Sequence, residues 1–137
     1  MVITLTGENW FGLATALKKL VAEFVREHGD MALEQLEGET VDLSRINEAL
    51  QSAPFLANKK LVVLRNPSLN KQFTEEAEKV LSSVTNTTDV LVVEQKLDKR
   101  LSYYKYLKKA TDFREFLSLD ERSAAHWLSQ AAKEQGG

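Results

Sequence analysis

The sequence predicts an α/β fold in which a five-stranded parallel sheet carries helices on both faces. Short β-branched or apolar runs alternate five times with longer segments in which apolar residues recur at helical spacing. The runs at 61–64 and 90–93 are apolar throughout, which is typical of parallel strands covered on both faces. Because 43% of the 137 residues are hydrophobic, we expect a single domain, residues 1–137, with one core.

The first half of the chain predicts two strand–helix units. Residues 2–6 are rich in β-branched side chains and end at a glycine, which indicates the first strand. A long helix is expected over 9–28, where an asparagine can cap the start and a glycine can follow the end. A weaker apolar segment at 32–36 predicts an edge strand, and the spacing of apolar residues over 42–52 predicts the second helix.

The middle of the chain predicts two central strands joined by a helix. After the strand at 61–64, the apolar residues of 72–84 form one stripe, so a third helix is expected there. Residues 86–89 are turn formers and precede the strand at 90–93.

The end of the chain predicts a basic helix, a last strand and a final helix. The segment 96–109 is rich in lysine and tyrosine and is expected to be helical from about Asp98. Residues 111–117 predict the fifth strand. Ser118 and Glu121 have the spacing of a capping box, which predicts a final helix to Lys133.

Composition argues against several classes of function. The formal net charge is −2 and the pI is near 5.7, so a uniformly basic nucleic-acid surface is not expected. The chain has no cysteine, which excludes disulfides and thiolate metal sites. No segment approaches the roughly 20 apolar residues of a membrane span, and the first residues lack a signal-peptide pattern. We therefore expect a cytoplasmic domain without a membrane partner.

The turn after the first strand is where a doubly wound sheet would bind a nucleotide. Gly7 and Gly12 have the spacing of a phosphate loop, in which a lysine and a serine or threonine follow the second glycine. Leu13 and Ala14 stand there instead, and both fit the apolar stripe of the first helix. Glu94, at the end of the fourth strand, is expected to be a solvated charge. We therefore expect no cofactor, no metal and no catalytic residue.

The segment 96–109 supports two interpretations. Basic side chains interleaved with aromatic ones can bind single-stranded nucleic acid through charge and stacking, and the candidate DNA contacts are Lys99, Arg100 and Lys105. The other interpretation is a solvated basic helix whose tyrosines lean on the sheet. The acidity of the whole domain favours the second.

An apolar pair, Phe55 and Leu56, precedes the strand at 61–64. Pro54, which can open a short helix, stands before the pair, and the polar residues 58–60 follow it. From the pattern alone, the pair is either buried beneath neighbouring helices, as most such residues are, or exposed as a docking point for another protein.

Three stretches occur in a specific order and at specific separations. They are Leu5-Thr6-Gly7-Glu8 before the long helix, Pro54-Phe55-Leu56 with Lys59-Lys60-Leu61-Val62-Val63-Leu64 after it, and Leu97-Asp98-Lys99-Arg100 after a valine-rich strand. In these stretches the chain resembles the bacterial DNA polymerase III delta subunit, the clamp-opening member of the replicative clamp loader. The resemblance covers the whole chain.

The resemblance implies an AAA+/RecA-like module with a degenerate P-loop, which agrees with Leu13 and Ala14. It further implies that residues 1–137 are the N-terminal domain of a longer chain. That domain is not an enzyme, although the family belongs to the DNA polymerase III holoenzyme, a DNA-directed DNA polymerase.

The resemblance also implies a partner and a site. In the delta family, an apolar pair on a short helix before a central strand enters a pocket of the β sliding clamp and favours an opened ring. By position, the clamp-binding residues here are Pro54, Phe55 and Leu56, although the order is Phe-Leu where some members have Leu-Phe.

The implied function is to bind the β sliding clamp and help to open it during DNA replication. Other clamp-loader subunits would be bound through regions absent here, and DNA would be contacted only indirectly or weakly. The alternative is a DNA-binding module that uses the segment 96–109.

Overall fold

The computed structural model describes residues 1–54 and 56–118, which form one five-stranded sheet. All neighbouring strands are parallel, and their order across the sheet is β2-β3-β4-β1-β5. The predicted parallel sheet is therefore confirmed, with the weakly apolar β2 at one edge. The strands are β1 (Val2–Thr6), β2 (Leu33–Glu37), β3 (Lys60–Arg65), β4 (Thr88–Glu94) and β5 (Asp112–Glu115).

Helices cover both faces of the sheet, as predicted. They are α1 (Trp10–His28), α2 (Leu43–Gln51), α3 (Lys71–Glu75), α4 (Ala77–Ser82) and α5 (Ser102–Ala110). Side chains of α1 pack on one face, and side chains of α2 to α5 pack on the other. None of the helices in the described part of the chain has the length and apolar character that a bilayer span requires.

The central strands divide their side chains between two apolar layers. In β3, Leu61 and Val63 pack with α1, whereas Val62 and Leu64 pack with the helices of the opposite face. This alternation follows from the two-residue period of a strand. All four side chains are buried, which explains why the sequence shows an unbroken apolar run at this strand.

The helix predicted over 72–84 is two helices with a break at Glu76. The backbone of Glu76, at φ −116° and ψ 17°, leaves the helical region. The two halves also start separately, since the side chain of Asn70 accepts a hydrogen bond from the backbone N–H of Phe73, and the carbonyl of Glu76 accepts one from Val80. Phe73 and Val80 both remain buried, so the stripe was predicted correctly although the single helix was not.

The basic helix starts later than predicted, at Ser102. Asp98 accepts hydrogen bonds from the backbone N–H of Arg100 through its side chain and from Leu101 through its carbonyl, which makes a turn. The final helix predicted from Ser118 to Lys133 lies beyond residue 118 and so outside the described residues.

Candidate functional site

The loop between α2 and β3 carries the apolar pair. The side chain of Leu56 is 78% exposed, and that of Pro54 is half-buried, whereas Phe55 lies outside the described residues. For Leu56, exposure agrees with the docking interpretation rather than with burial beneath the helices. Its role as a clamp contact stays a prediction.

The short helix expected from Pro54 is not present in the described part of this loop. Residues 52–54 and 56–59 form bends and irregular backbone. Leu56 has a φ of 55°, in the left-handed region, which an ordinary right-handed helix does not contain. The expectation of a helix is therefore wrong for these residues, and Leu56 belongs to an irregular loop.

A side-chain hydrogen bond closes the base of this loop. The ammonium of Lys60, at the start of β3, donates to Oγ of Ser52, directly after α2, over 2.8 Å. The backbone N–H of Ser52 is bonded to the carbonyl of Glu48, and that of Lys60 to the carbonyl of Thr87. Both ends of the loop are thus anchored to regular structure and to each other.

A carboxylate on the edge strand β2 holds this closure in place. Oε2 of Glu34 lies 2.9 Å from Nζ of Lys60, and its Oε1 pairs with the guanidinium of Arg45 on α2. Partial burial by itself raises the pKa of Glu34, but the hydrogen bonds from the two cations outweigh it and bring that pKa below its usual value. The carboxylate is therefore ionised at neutral pH and pairs with cations from two elements.

The neighbouring Lys59 pairs with a carboxylate on the other strand that flanks β3. Its Nζ lies 3.2 Å from a carboxylate oxygen of Asp89, near the start of β4. The two consecutive lysines therefore bind different strands, and the loop leaves the sheet between two ion pairs.

The turn that corresponds to a phosphate loop follows β1, at the carboxyl ends of the strands, whereas the loop with Leu56 lies at their amino ends. Gly7 has a φ of 131°, and a Cβ there would lie 2.1 Å from the carbonyl oxygen of Phe116. That same oxygen accepts the backbone N–H of Asn9 over 3.1 Å, while the side chain of Asn9 accepts the N–H of Gly12. In a phosphate loop, these two backbone amides would donate to a bound anion, but here both donate to groups of this chain. Leu13, which replaces the lysine of such a loop, is fully buried.

Glu94 contradicts the expectation of a solvated charge, because it is fully buried. Its Oε2 accepts hydrogen bonds from the backbone N–H of Ser68 over 3.0 Å and from the hydroxyl of Tyr103 over 2.7 Å. Its Oε1 accepts from Oγ of Ser68 over 2.8 Å. Burial raises the pKa of Glu94 to about 7, although these hydrogen bonds oppose the rise.

Sequence reasoning missed this buried group because its partners come from other elements. Ser68 belongs to a short turn after β3, and Tyr103 belongs to α5. The one available signal was the position of Glu94 at the end of a central strand, where the turn after the neighbouring strand can cover it.

The basic segment presents charge, whereas two of its three tyrosines are buried and the third, Tyr106, is half-buried. Lys99 pairs with Glu115 over 3.6 Å, Arg100 pairs with Asp98 over 3.1 Å, and Lys105 is exposed on α5. Tyr103 and Tyr104 are buried against the rings of Phe73 and Phe113, respectively. The interpretation that these tyrosines lean on the sheet is therefore confirmed. Among residues 1–54 and 56–118, no group of three or more acidic or histidine side chains could hold a metal ion.

The sheet order and the turn after β1 define a parallel α/β module that lacks the lysine and the serine or threonine of a working phosphate loop. A family model described as DNA polymerase III, delta subunit, matches residues 4–116. The chain therefore belongs to the DNA polymerase III delta subunit family. No curated protein sequence matches it significantly.

Two solved structures share the fold. One is the DNA clamp loader delta protein YqeN of Bacillus subtilis, with a TM-score of 0.68 and 23% identity, for which the match covers 98% of this chain and 43% of YqeN. The other is a DNA polymerase III gamma subunit-related protein of Thermotoga maritima, with a TM-score of 0.56, 15% identity, and coverage of 86% and 40%. The chain thus spans less than half the length of either.

Proposed function

We propose that this chain is the N-terminal, clamp-binding domain of a clamp-loader delta subunit, and that Phe55 and Leu56 insert into the β sliding clamp during DNA replication. The observation that carries the proposal is the exposure of Leu56, at 78%, on a loop tied at its base. Membership of the delta family supplies the partner.

The energetics of such an anchor are sufficient for a specific interface. Transfer of a leucine or phenylalanine side chain from water into an apolar pocket contributes about 1.5–3 kcal/mol. A few fully desolvated anchors carry most of the binding energy in typical interfaces. Pro54, which has few backbone conformations, precedes the pair and lowers the entropy that the loop loses on binding.

Clamp opening requires that the domain bind the open ring more tightly than the closed ring. A ligand shifts a conformational equilibrium only by its difference in affinity for the two states. The domain therefore needs no chemistry of its own, and its phosphate loop, with two amides bonded within the chain, is consistent with a non-catalytic role. ATP hydrolysis belongs to partner subunits. The delta subunit binds these partners through regions outside residues 1–137, and the complex acts in the cytoplasm.

Direct DNA binding is not proposed as a second function. Two of the three tyrosines are buried and cannot stack on bases, and two of the candidate cations already pair with carboxylates of this chain.

The test compares two exposed leucines that lie at opposite ends of the same strand, β3. Leu56 precedes the amino end of β3, whereas Leu69, which is 60% exposed, follows its carboxyl end. Leu56→Ala combined with Phe55→Ala should weaken binding of the β sliding clamp at least tenfold, about 1.4 kcal/mol, in a surface plasmon resonance titration. Leu69→Ala should not change the affinity. Equal affinities for both variants and the parent chain would refute the proposed site.

A further inference from the structure

The loop between α2 and β3 has an unfavourable backbone conformation at Leu56, its exposed leucine. A φ of 55° is uncommon for leucine, because its Cβ crowds the following carbonyl in the left-handed region. Such a conformation persists only where the surrounding structure holds it. The loop must therefore be held by contacts at its ends.

The contacts that hold it come from three different elements. Lys60 in β3 donates to Ser52 at the end of α2 over 2.8 Å, and Glu34 in β2 lies 2.9 Å from the same ammonium. The side chain of Lys60 is only 11% exposed, so this ammonium is shielded from competition by water. Ser52 itself is exposed, and its hydroxyl links the two ends of the loop directly through this ammonium.

We infer that Lys60 and Ser52 are positioning residues, which hold the loop in the conformation that the clamp receives; this inference rests on the proposed function. Neither residue needs to touch the clamp. Their bond removes loop conformations in which Leu56 points away from the partner, so that a larger fraction of the molecules is competent to bind. The apparent dissociation constant is inversely proportional to that fraction.

Two substitutions of equal shape test this inference. Ser52→Thr and Ser52→Val differ only in the hydroxyl, and the extended backbone of Ser52, at φ −75° and ψ 147°, accepts either side chain. We expect Ser52→Val to weaken clamp binding about fivefold and Ser52→Thr to bind within twofold of the parent chain. The loss should lie in the association rate, because the dissociation rate reports contacts that both variants keep.

Lys60→Met provides a second measurement, with an expected loss of at least fivefold in the same rate. Equal association rates for Ser52→Val and Ser52→Thr would overturn the positioning role. The double variant of Phe55 and Leu56, measured in parallel, separates the two proposals. If the two Ser52 variants bind equally but the double variant loses binding, the proposed function is supported and only the positioning role is wrong. If the double variant also binds normally, both proposals are wrong.

Discussion

The hydroxyl of Tyr103 donates a 2.7 Å hydrogen bond to the carboxylate of Glu94 inside the domain. This bond joins α5 to the last residue of β4, and the turn after β3 closes the site through Ser68. A carboxylate that is fully buried with three donors and without a cation among them is the main electrostatic feature of the core.

The stability of the domain should fall as pH rises through 7, because of Glu94. Its pKa is raised from 4.5 to about 7 in the folded chain, so between these values the folded state keeps a proton that the unfolded state releases. The contribution is thus complete below pH 4.5 and is lost as pH rises through 7, with a total of up to about 3 kcal/mol. Urea unfolding between pH 5 and 8.5 measures it.

Glu94→Gln is the control for this effect. Glutamine keeps the shape and one acceptor but does not titrate, so the difference in stability between the parent and the variant should change with pH over that range. Glu34, Asp98 and Asp112 have lowered pKa values and titrate below the range. A parallel pH dependence in both proteins would contradict the assignment.

Tyr103→Phe should destabilise the domain more at pH 8 than at pH 5. The substitution removes one of three donors to a buried carboxylate, which costs about 1.5–3 kcal/mol when the carboxylate is charged and about 1 kcal/mol when it is neutral. Tyr104→Phe is the matched control, because its ring packs against Phe113 at 5.5 Å and no hydrogen bond of its hydroxyl occurs in the described part of the chain. The prediction fails if both variants lose the same stability at both pH values.

Gly7→Ala should destabilise the domain by more than about 3 kcal/mol, because the new methyl would lie 2.1 Å from a backbone oxygen of Phe116. Gly29→Ala provides the comparison. Gly29 also has a positive φ, 88°, but a Cβ there meets no atom within 4 Å, so only the backbone strain of about 1–3 kcal/mol is expected. Chemical denaturation of both variants separates the clash from the strain, and equal losses would show that the clash relaxes.

Reversing the charge of Lys99, Arg100 and Lys105 together should leave clamp affinity within twofold of the parent value. Lys99 and Arg100 follow the carboxyl end of β4, whereas Leu56 precedes the amino end of β3. Because β3 and β4 are parallel, the two groups lie at opposite ends of the strands. The same titration as for Leu56→Ala measures this. A tenfold loss would mean that the clamp also contacts the carboxyl edge.

The sequence by itself determined the order of the five strands and the positions of α1, α2 and α5, but not the break between α3 and α4. Strands with a two-residue period and helices with a 3.6-residue period are local patterns, so the sites of β1, α1 and β3 could be read within short windows. The same windows marked Phe55 and Leu56 as unusual, because apolar neighbours between a proline and lysines match neither period.

Only the tertiary structure decided the features that depend on residues far apart in the chain. Glu94 is buried because Ser68 and Tyr103 cover it, and Lys60 contacts Ser52 and Glu34 at the base of the loop that carries Leu56. Burial and hydrogen bonding are sums over such distant neighbours, which no local pattern contains. For the same physical reason, no local pattern predicts the left-handed backbone of Leu56.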